Sequence, residues 1–138
     1  MLLLTWMLGL GCSAGKEEEQ KESENTSEGC GDPETYDIDI RAKVTRNGQP
    51  AGGVRVYLEE RLWEPGILGE GTTDRDGSVS FTASPVTGIP NCWATAVDYW
   101  LVAEDGGSVV EDDMNSELYD AVDDGSMLAD VSDRPLEF

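Results

Sequence analysis

The sequence predicts an all-β fold, a small antiparallel β-sandwich, with one short helix near the C-terminus. Apolar and polar residues alternate along 36–45 and again along 54–59, as they do in a strand with one buried face. Turn-forming pairs, among them Asn47-Gly48 and Asp76-Gly77, separate these runs. Short strands with a turn signal about every 8–12 residues are typical of a β-sandwich.

The middle of the chain predicts two further strands. Val79 and Phe81 form the buried face of the strand that follows the Asp76-Gly77 turn. Residues 92–103, the most apolar stretch of the domain, predict another strand. The segment 62–71 between these regions predicts a looser piece of chain, because Pro65-Gly66 interrupts it.

The C-terminal part predicts the one helix. Residues 116–122 form a short helical pattern, and Ser116 is the expected N-cap. Residues 127–131 and 135–138 predict one or two terminal strands. The sandwich domain is therefore expected to cover 36–138, ending in an acidic segment.

Two glycine-containing motifs resemble those of the carboxypeptidase regulatory-like, or transthyretin-like, domain. The family pattern is G-x-P-x-x-G-x-x-V, followed by T-x-x-x-G-x-x-x-F. The matching residues are Gly48, Pro50, Gly53 and Val56 in the first motif and Thr73, Gly77 and Phe81 in the second. The resemblance covers about 36–103 and implies a Greek-key sandwich in which the glycines adopt positive φ and the aromatic fills the space between sheets. It also implies an accessory, non-catalytic module.

The N-terminus resembles a bacterial lipoprotein signal. The apolar run 2–10 is much shorter than the roughly 20 residues of a membrane-spanning helix, so it is typical of an export signal. Small residues precede Cys12, which is where such a signal is cleaved and the cysteine lipidated. We expect 1–11 to be the signal peptide and Cys12 to hold the lipid. Ordinary secretion, with cleavage after Ala14, is the alternative.

The segment 12–35 is expected to be an acidic, disordered tether behind the lipidated cysteine. Residues 16–28 contain no aliphatic or aromatic side chain, so they cannot bury enough apolar surface to offset the entropy of ordering. Ser13 follows the cysteine where aspartate would resemble an inner-membrane retention signal. In a Gram-negative host the sequence therefore favours export to the outer membrane, with the domain periplasmic or surface-exposed.

The other two cysteines predict a disulfide. An exported protein folds in an oxidising compartment, and Cys30 and Cys92 remain once Cys12 is lipidated. In the chain-entropy model such a bridge stabilises the fold by about 4 kcal/mol. Two free buried thiols, or a metal site built on the pair, are the alternatives.

Charge and composition exclude several functions. The chain has 9 basic and 29 acidic residues, no histidine, and a formal charge of −20. Nucleic acid is excluded as a partner because phosphate binding needs a basic face. The lack of histidine excludes a Ser-His-Asp triad and every zinc site with a histidine ligand. A hydrolase with paired carboxylates stays open, although nothing in the sequence marks two acids as a pair.

Two sets of residues are candidates for ligand binding. Calcium is the one cofactor the sequence suggests, because 104–138 contain 12 acidic residues and one basic residue; a solvated acidic face is the alternative. The proposed calcium ligands flank the short helix and are Asp112, Asp113, Asp123 and Asp124. The aromatics Trp63, Trp93, Tyr99 and Trp100 are either core residues or a surface for stacking on sugar rings, and Trp63 is the best candidate for exposure.

The function that fits these features is non-catalytic. We expect a membrane-anchored lipoprotein that is a structural or partner-binding module, attached through its lipid and contacting a protein partner or a surface glycan. A carbohydrate- or calcium-binding surface protein is the alternative.

Overall fold

The computed structural model describes residues 32–62, 65–89 and 98–138, and Pro33–Phe138 form one compact unit. The described residues form two β-sheets and one short helix, which confirms the all-β, sandwich-like prediction. The elements are β1 (Glu34–Arg46), β2 (Gln49–Pro50), β3 (Arg55–Glu60), β4 (Gly66–Thr72), β5 (Ser78–Gly88), β6 (Tyr99–Asp105), β7 (Ser108–Asp113), α1 (Asn115–Asp123), β8 (Leu128–Asp130) and β9 (Leu136–Glu137).

The first sheet, sheet A, is built on β1. This strand pairs antiparallel with β2 and β5, and parallel with β8 and β9. The second sheet, sheet B, has the order β4-β3-β6-β7 and is antiparallel throughout. No helix among the described residues is long and apolar enough to cross a membrane.

The core lies between the two sheets. On β1 the inward residues Ile38, Ile40, Ala42 and Val44 are at most 2% exposed, while the residues between them are exposed. Sheet B contributes Val56 and Leu58 from β3, together with Leu101 and Ala103 from β6, and α1 adds Leu118. The two-residue alternation of buried and exposed residues is therefore confirmed for β1. On β3 it is interrupted at Tyr57, which is only 8% exposed and whose ring lies beneath the guanidinium of Arg55.

The two sheets approach closely where β4 passes β5. A Cβ atom on Gly69 would lie 2.4 Å from the carbonyl oxygen of Thr82, and one on Gly71 would lie 2.8 Å from a methyl carbon of Val79. Both distances are shorter than a van der Waals contact. The missing side chains of these two glycines therefore let the backbones of β4 and β5 pack against each other, with the half-buried ring of Phe81 beside them.

The motif residues of the sequence analysis have clear local roles. Gly48, Gly53 and Gly77 all adopt positive φ, as expected. Thr73 is 4% exposed, and its hydroxyl donates to the carbonyl of Ala51 (2.7 Å) and accepts from the amide of Val54 (2.9 Å). One side chain thus ties the loop before β3 to the end of β4.

The helix begins one residue earlier than predicted, so Ser116 is not its N-cap. Met114 occupies that position and makes no side-chain cap. The chain turns at Asn115, whose side-chain oxygen accepts from the amide of Tyr99 (2.9 Å) and whose own amide donates to Asp113 (2.8 Å). These two bonds fix Asn115 in the first turn and leave Ser116 inside the helix.

Four strands differ from the prediction. Residues 66–72, expected to be loose, form the regular edge strand β4, and β7 was not predicted at all. β1 begins at Glu34, two residues before the predicted start of the domain. Within the stretch 92–103, β6 begins at Tyr99, and 92–97 lie outside the described residues. The predicted terminal strands are confirmed as β8 and β9.

The last strand is fixed by a carboxylate. Glu137 accepts a hydrogen bond from the hydroxyl of Thr45 and another from the amide of Gly48 (3.1 Å). The bond from Thr45, followed by the bond from Gly48, lowers the pKa of Glu137 from its usual value. The side chain thereby connects β9 to the β1–β2 turn.

The close approach of the sheets predicts that alanine destabilises the fold more at Gly69 than at Gly71. Gly69→Ala places Cβ against a backbone oxygen that cannot rotate away, so we expect it to lower the free energy of unfolding by about 1–3 kcal/mol or more. Gly71→Ala meets only a methyl group at the end of a short side chain and should cost less. Urea denaturation of both variants measures the difference. A loss at Gly71 equal to or larger than that at Gly69 would contradict this packing.

The lowered pKa of Glu137 predicts a pH-dependent contribution to stability. A carboxyl whose folded-state pKa is depressed stabilises the fold above its unfolded value, and this contribution is lost as the pH falls through the folded-state pKa. Glu137→Gln should therefore lower the thermal midpoint at pH 7, and the difference from the parent should shrink below pH ~4.3, the ordinary glutamate value.

The matched control is Asp133→Asn, because Asp133 is exposed in the turn after β8. It removes the same charge from a chain of formal charge −20, which relieves repulsion, so the midpoint should not fall. Equal midpoints for both variants at pH 7 would mean that Glu137 makes no specific contribution.

Candidate binding surface

The outer face of sheet B gathers two arginines and two aromatic residues. Alternation along β3 and β6 directs Val56, Leu58 and Leu101 inward, and their neighbours therefore point outward. We call this surface the arginine–aromatic face, and we define it by the outward residues Arg55, Tyr57, Arg61 and Trp100.

Arg55 joins three strands at one end of this face. Its guanidinium pairs with Glu70 on β4 (2.7 Å) and Glu104 on β6 (3.2 Å), and its Cζ lies 4.6 Å from the ring centre of Tyr57. The Tyr57 hydroxyl donates to Glu104 (3.1 Å). Burial of the ring, followed by this hydrogen bond, raises the pKa of Tyr57, so the hydroxyl is a proton donor at neutral pH.

Arg61 has the same role at the other end. Its guanidinium binds Glu59 (2.8 Å) and Glu111 on β7 (2.5 Å), and its Cζ lies 4.9 Å from the ring centre of Trp100. The indole N–H of Trp100 donates to Asp98 (2.8 Å). The hydrogen bond between Arg61 and Glu111 raises the pKa of the arginine and lowers that of the carboxyl. Both groups stay charged at neutral pH.

The two clusters fix side chains that are usually mobile. Isolated surface ion pairs stabilise a fold by only about 0–1 kcal/mol. In this face each arginine also lies over an aromatic ring and binds carboxylates of neighbouring strands, so its rotamer is constrained from several sides. A surface ordered in this way loses less side-chain entropy when a partner binds to it.

Exposed apolar side chains border the arginine–aromatic face on both edge strands. Ile67 on β4 pairs with Glu59 and is 45% exposed, and Val109 on β7 pairs with Glu104 and is 52% exposed. Directly paired residues project to the same side of a sheet, so both lie on this outer face. The face therefore combines ordered charge with apolar contact area.

A shallow depression lies on the opposite surface, the outer face of sheet A. It has a volume of about 190 Å³ and is lined by Asp39, Arg41, Ser80, Phe81 and Thr82. Pockets for drug-sized ligands measure roughly 300–1,000 Å³, so this depression has room only for a smaller group.

The predicted calcium ligands are not brought together. Asp112 and Asp113 end β7, whereas Asp123 and Asp124 lie at the far end of the nine-residue helix, about 13 Å away along its axis. Within the described ranges, no three cysteine or acidic side chains are placed to hold a metal ion. Both pairs are close to the helix in sequence, but one precedes the helix and the other lies at its C-terminal end.

Three of these four carboxylates have structural contacts instead. Asp112 pairs with Arg134 (3.1 Å), Asp113 accepts from the amide of Asn115, and Asp124 accepts from the amide of Ser126 (2.8 Å). The bonds from Ser126 lower the pKa of Asp124. The acidic segment thus closes turns and pairs with its single arginine.

The other predicted site residues fall partly outside the structure. Cys12, Cys30, Cys92, Trp63 and Trp93 lie outside the described residues. Tyr99 is a core residue, 1% exposed, and its hydroxyl donates to the carbonyl of Thr87 (2.8 Å).

Sequence reasoning missed the arginine–aromatic face, except for Trp100. The signal for it was the outward half of the β3 alternation, where Arg55, Tyr57, Glu59 and Arg61 follow one another at every second position. The net acidity of the chain favoured the carboxylates as candidate ligands instead.

Comparison with known proteins adds no relative: no family model, curated protein or solved structure matches the chain.

Proposed function

We propose that the protein is a non-catalytic, lipid-anchored lipoprotein whose β-sandwich binds a protein partner, in the periplasm or at the outer surface of the outer membrane. The observation that supports this most directly is the arginine–aromatic face. Tyr, Trp and Arg are the residue types enriched at the centres of protein interfaces and among their energetic hot spots.

The charge of this face indicates the chemistry of the partner. Four carboxylates, Glu59, Glu70, Glu104 and Glu111, surround its two arginines. Both arginines are already bound to carboxylates. The groups of this face that can still form hydrogen bonds are mainly carboxylate oxygens, which are acceptors. A partner with lysine or arginine side chains and an apolar strip facing Ile67 or Val109 would complement it.

The family resemblance is part of the same proposal. Relation to the transthyretin-like, Greek-key sandwiches is supported by the positive φ of the motif glycines, by the hydrogen bonds of Thr73 and by the position of Phe81 beside β4. Such domains are accessory modules, which agrees with a partner-binding role. The Cys30–Cys92 disulfide stays a prediction of the sequence.

Site-specific photo-crosslinking in the native host tests the partner surface. A crosslinking residue at Ile67 or at Val109 should give the same protein adduct, because both positions border one face. The same residue at Asp37, exposed on sheet A, should not give it. Equal adduct yields at all three positions would contradict a partner surface on sheet B. So would the absence of any adduct.

Charge substitution at one exposed position checks the partner's chemistry. Val109→Lys should reduce adduct formation from Ile67 by about tenfold, because it adds a like charge against a basic partner, whereas Val109→Glu should retain the adduct. Both variants should keep the parental thermal midpoint, since Val109 is 52% exposed.

The anchor is tested separately. The short apolar run, the small residues before Cys12 and the polar segment after it support lipidation. Cys12→Ser should abolish incorporation of labelled palmitate and move the protein from the membrane fraction to the soluble one. A variant that still sediments with membranes would show that the attachment is of another kind.

A further inference from the structure

The outer face of sheet A is a regular array of charges and hydroxyls. The pairing of β1 with β5 sets Lys43 against Ser78, Arg41 against Ser80, and Asp39 against Thr82. Along β1 the outward charges therefore change from two cations to an anion, and along β5 each paired position is a hydroxyl.

The depression of about 190 Å³ lies over the middle of this array. Its charged and hydroxyl-bearing lining residues Asp39, Arg41, Ser80 and Thr82 are all exposed. Ser80 has a much shorter side chain than Arg41 opposite it, so the surface is lowest there. The depression is open to solvent and polar on two adjacent strands.

The two cations beside it differ from most others in the molecule. Arg46, Arg55, Arg61 and Arg134 all form ion pairs. Across the residues that the structure describes, Arg41 and Lys43 have no carboxylate within the 4.0 Å of an ion pair. The nearest acidic neighbour on the other edge of β1 is Asp130, which pairs with Arg41 in the sheet and whose carboxylate accepts a hydrogen bond from Ser132; that bond first, and the charge of Arg41 to a smaller extent, lowers the pKa of Asp130. In a chain of charge −20, these two neighbouring cations, neither of which forms a contact ion pair with a described residue, are a local site for an anionic group.

The other half of the depression is built for hydroxyl groups. Asp39 accepts a hydrogen bond from Thr82 through one carboxylate oxygen (2.8 Å), and a carboxylate has capacity for further donors. The Ser80 hydroxyl can both donate and accept. A simple anion such as phosphate can accept a hydrogen bond from Ser80 but is repelled by the charge of Asp39. A neutral sugar can accept hydrogen bonds from Arg41 and Lys43 but gains no ion pair from them.

We propose that this depression binds one acidic sugar residue, a hexuronic acid. Its carboxylate lies against Arg41 and Lys43, and its ring hydroxyls bond to Asp39, Ser80 and Thr82. The small volume of the depression admits about one pyranose ring. The site is on the opposite sheet from the arginine–aromatic face. Failure to find a protein partner at that face would therefore leave this proposal unaffected, and the reverse also holds.

The test is calorimetric titration of the full chain, purified in detergent, with sodium glucuronate and sodium galacturonate. Methyl glucoside, acetate and phosphate at matched ionic strength are the comparison ligands. Saturable binding of a uronate, at least about tenfold stronger than of any comparison ligand, is the expected result. Equal binding of acetate or phosphate would reduce the site to a simple anion contact and overturn the proposal, as would equal binding of methyl glucoside.

Substitutions locate the binding. Arg41→Gln should weaken it by about tenfold or more, the effect of losing one charge-assisted hydrogen bond, and Ser80→Leu, which fills the depression, should abolish it. The matched control Arg75→Gln removes the same charge from an exposed turn outside the depression and should leave affinity unchanged. Affinity unaltered by Arg41→Gln would overturn the proposal.

A titration with tetragalacturonate identifies the source of the sugar, and both of its outcomes are consistent with the proposal. Tighter binding than the monomer indicates a polysaccharide chain, and equal affinity indicates a single terminal or free residue. All three variants change exposed side chains, so parental thermal midpoints confirm that they fold.

Discussion

The pairing of β1 on both of its edges is the interaction on which the rest of the domain depends. One edge holds β5 over most of its length, and the other holds β8 and β9, which come from the last eleven residues. The inward side chains of the same strand form the centre of the core. The parallel pairs join β1 to strands that are separated from it along the chain by all of sheet B and α1. Residues far apart in sequence must therefore meet before β1 is complete, so its stability belongs to the whole domain and to no single hairpin.

The alternation that buries the core also determines what the two outer faces present. Most inward positions on both sheets are aliphatic, with the aromatic Phe81 and Tyr99 and the buried acid Glu60 as exceptions, so most of the chemical variety is at the outward positions. On sheet B the outward positions hold arginines stacked over aromatic rings and bound by carboxylates, which is a covered and ordered surface. On sheet A they hold short hydroxyl side chains beside the exposed cations Arg41 and Lys43, which is an open surface. Proteins bury flat, ordered surfaces against each other, whereas a small polar ligand needs a recess with free donors and acceptors.

The predictable part of the structure is the part in which local pattern and tertiary packing agree. β1, β3 and the start of β5 alternate clearly, and the motif glycines lie in turns that require positive φ. β7 was missed because three of its six residues are acidic; its pairing with β6 outweighs their poor strand propensity. Ser116 satisfied the local rule for an N-cap, but a hydrogen bond from the distant Tyr99 to Asn115 moved the helix start. The arginine–aromatic face was missed because Trp100 and the carboxylates that bind the two arginines come from other strands than β3, and only strand pairing places them beside Arg55 and Arg61.

For the two proposed ligands, net charge predicts opposite dependence on salt. A chain of charge −20 would attract the proposed basic partner from a distance, and at physiological ionic strength salt largely screens that attraction beyond about 8 Å. The same charge would repel the proposed uronate until it reaches Arg41 and Lys43, so screening would lower a barrier to binding there. On these proposals, association at sheet B is steered by the whole molecule, whereas recognition at sheet A depends on the few groups beside the depression. The acidity of the chain would then act on the protein partner over long range and leave ligand selection on sheet A to short-range hydrogen bonds.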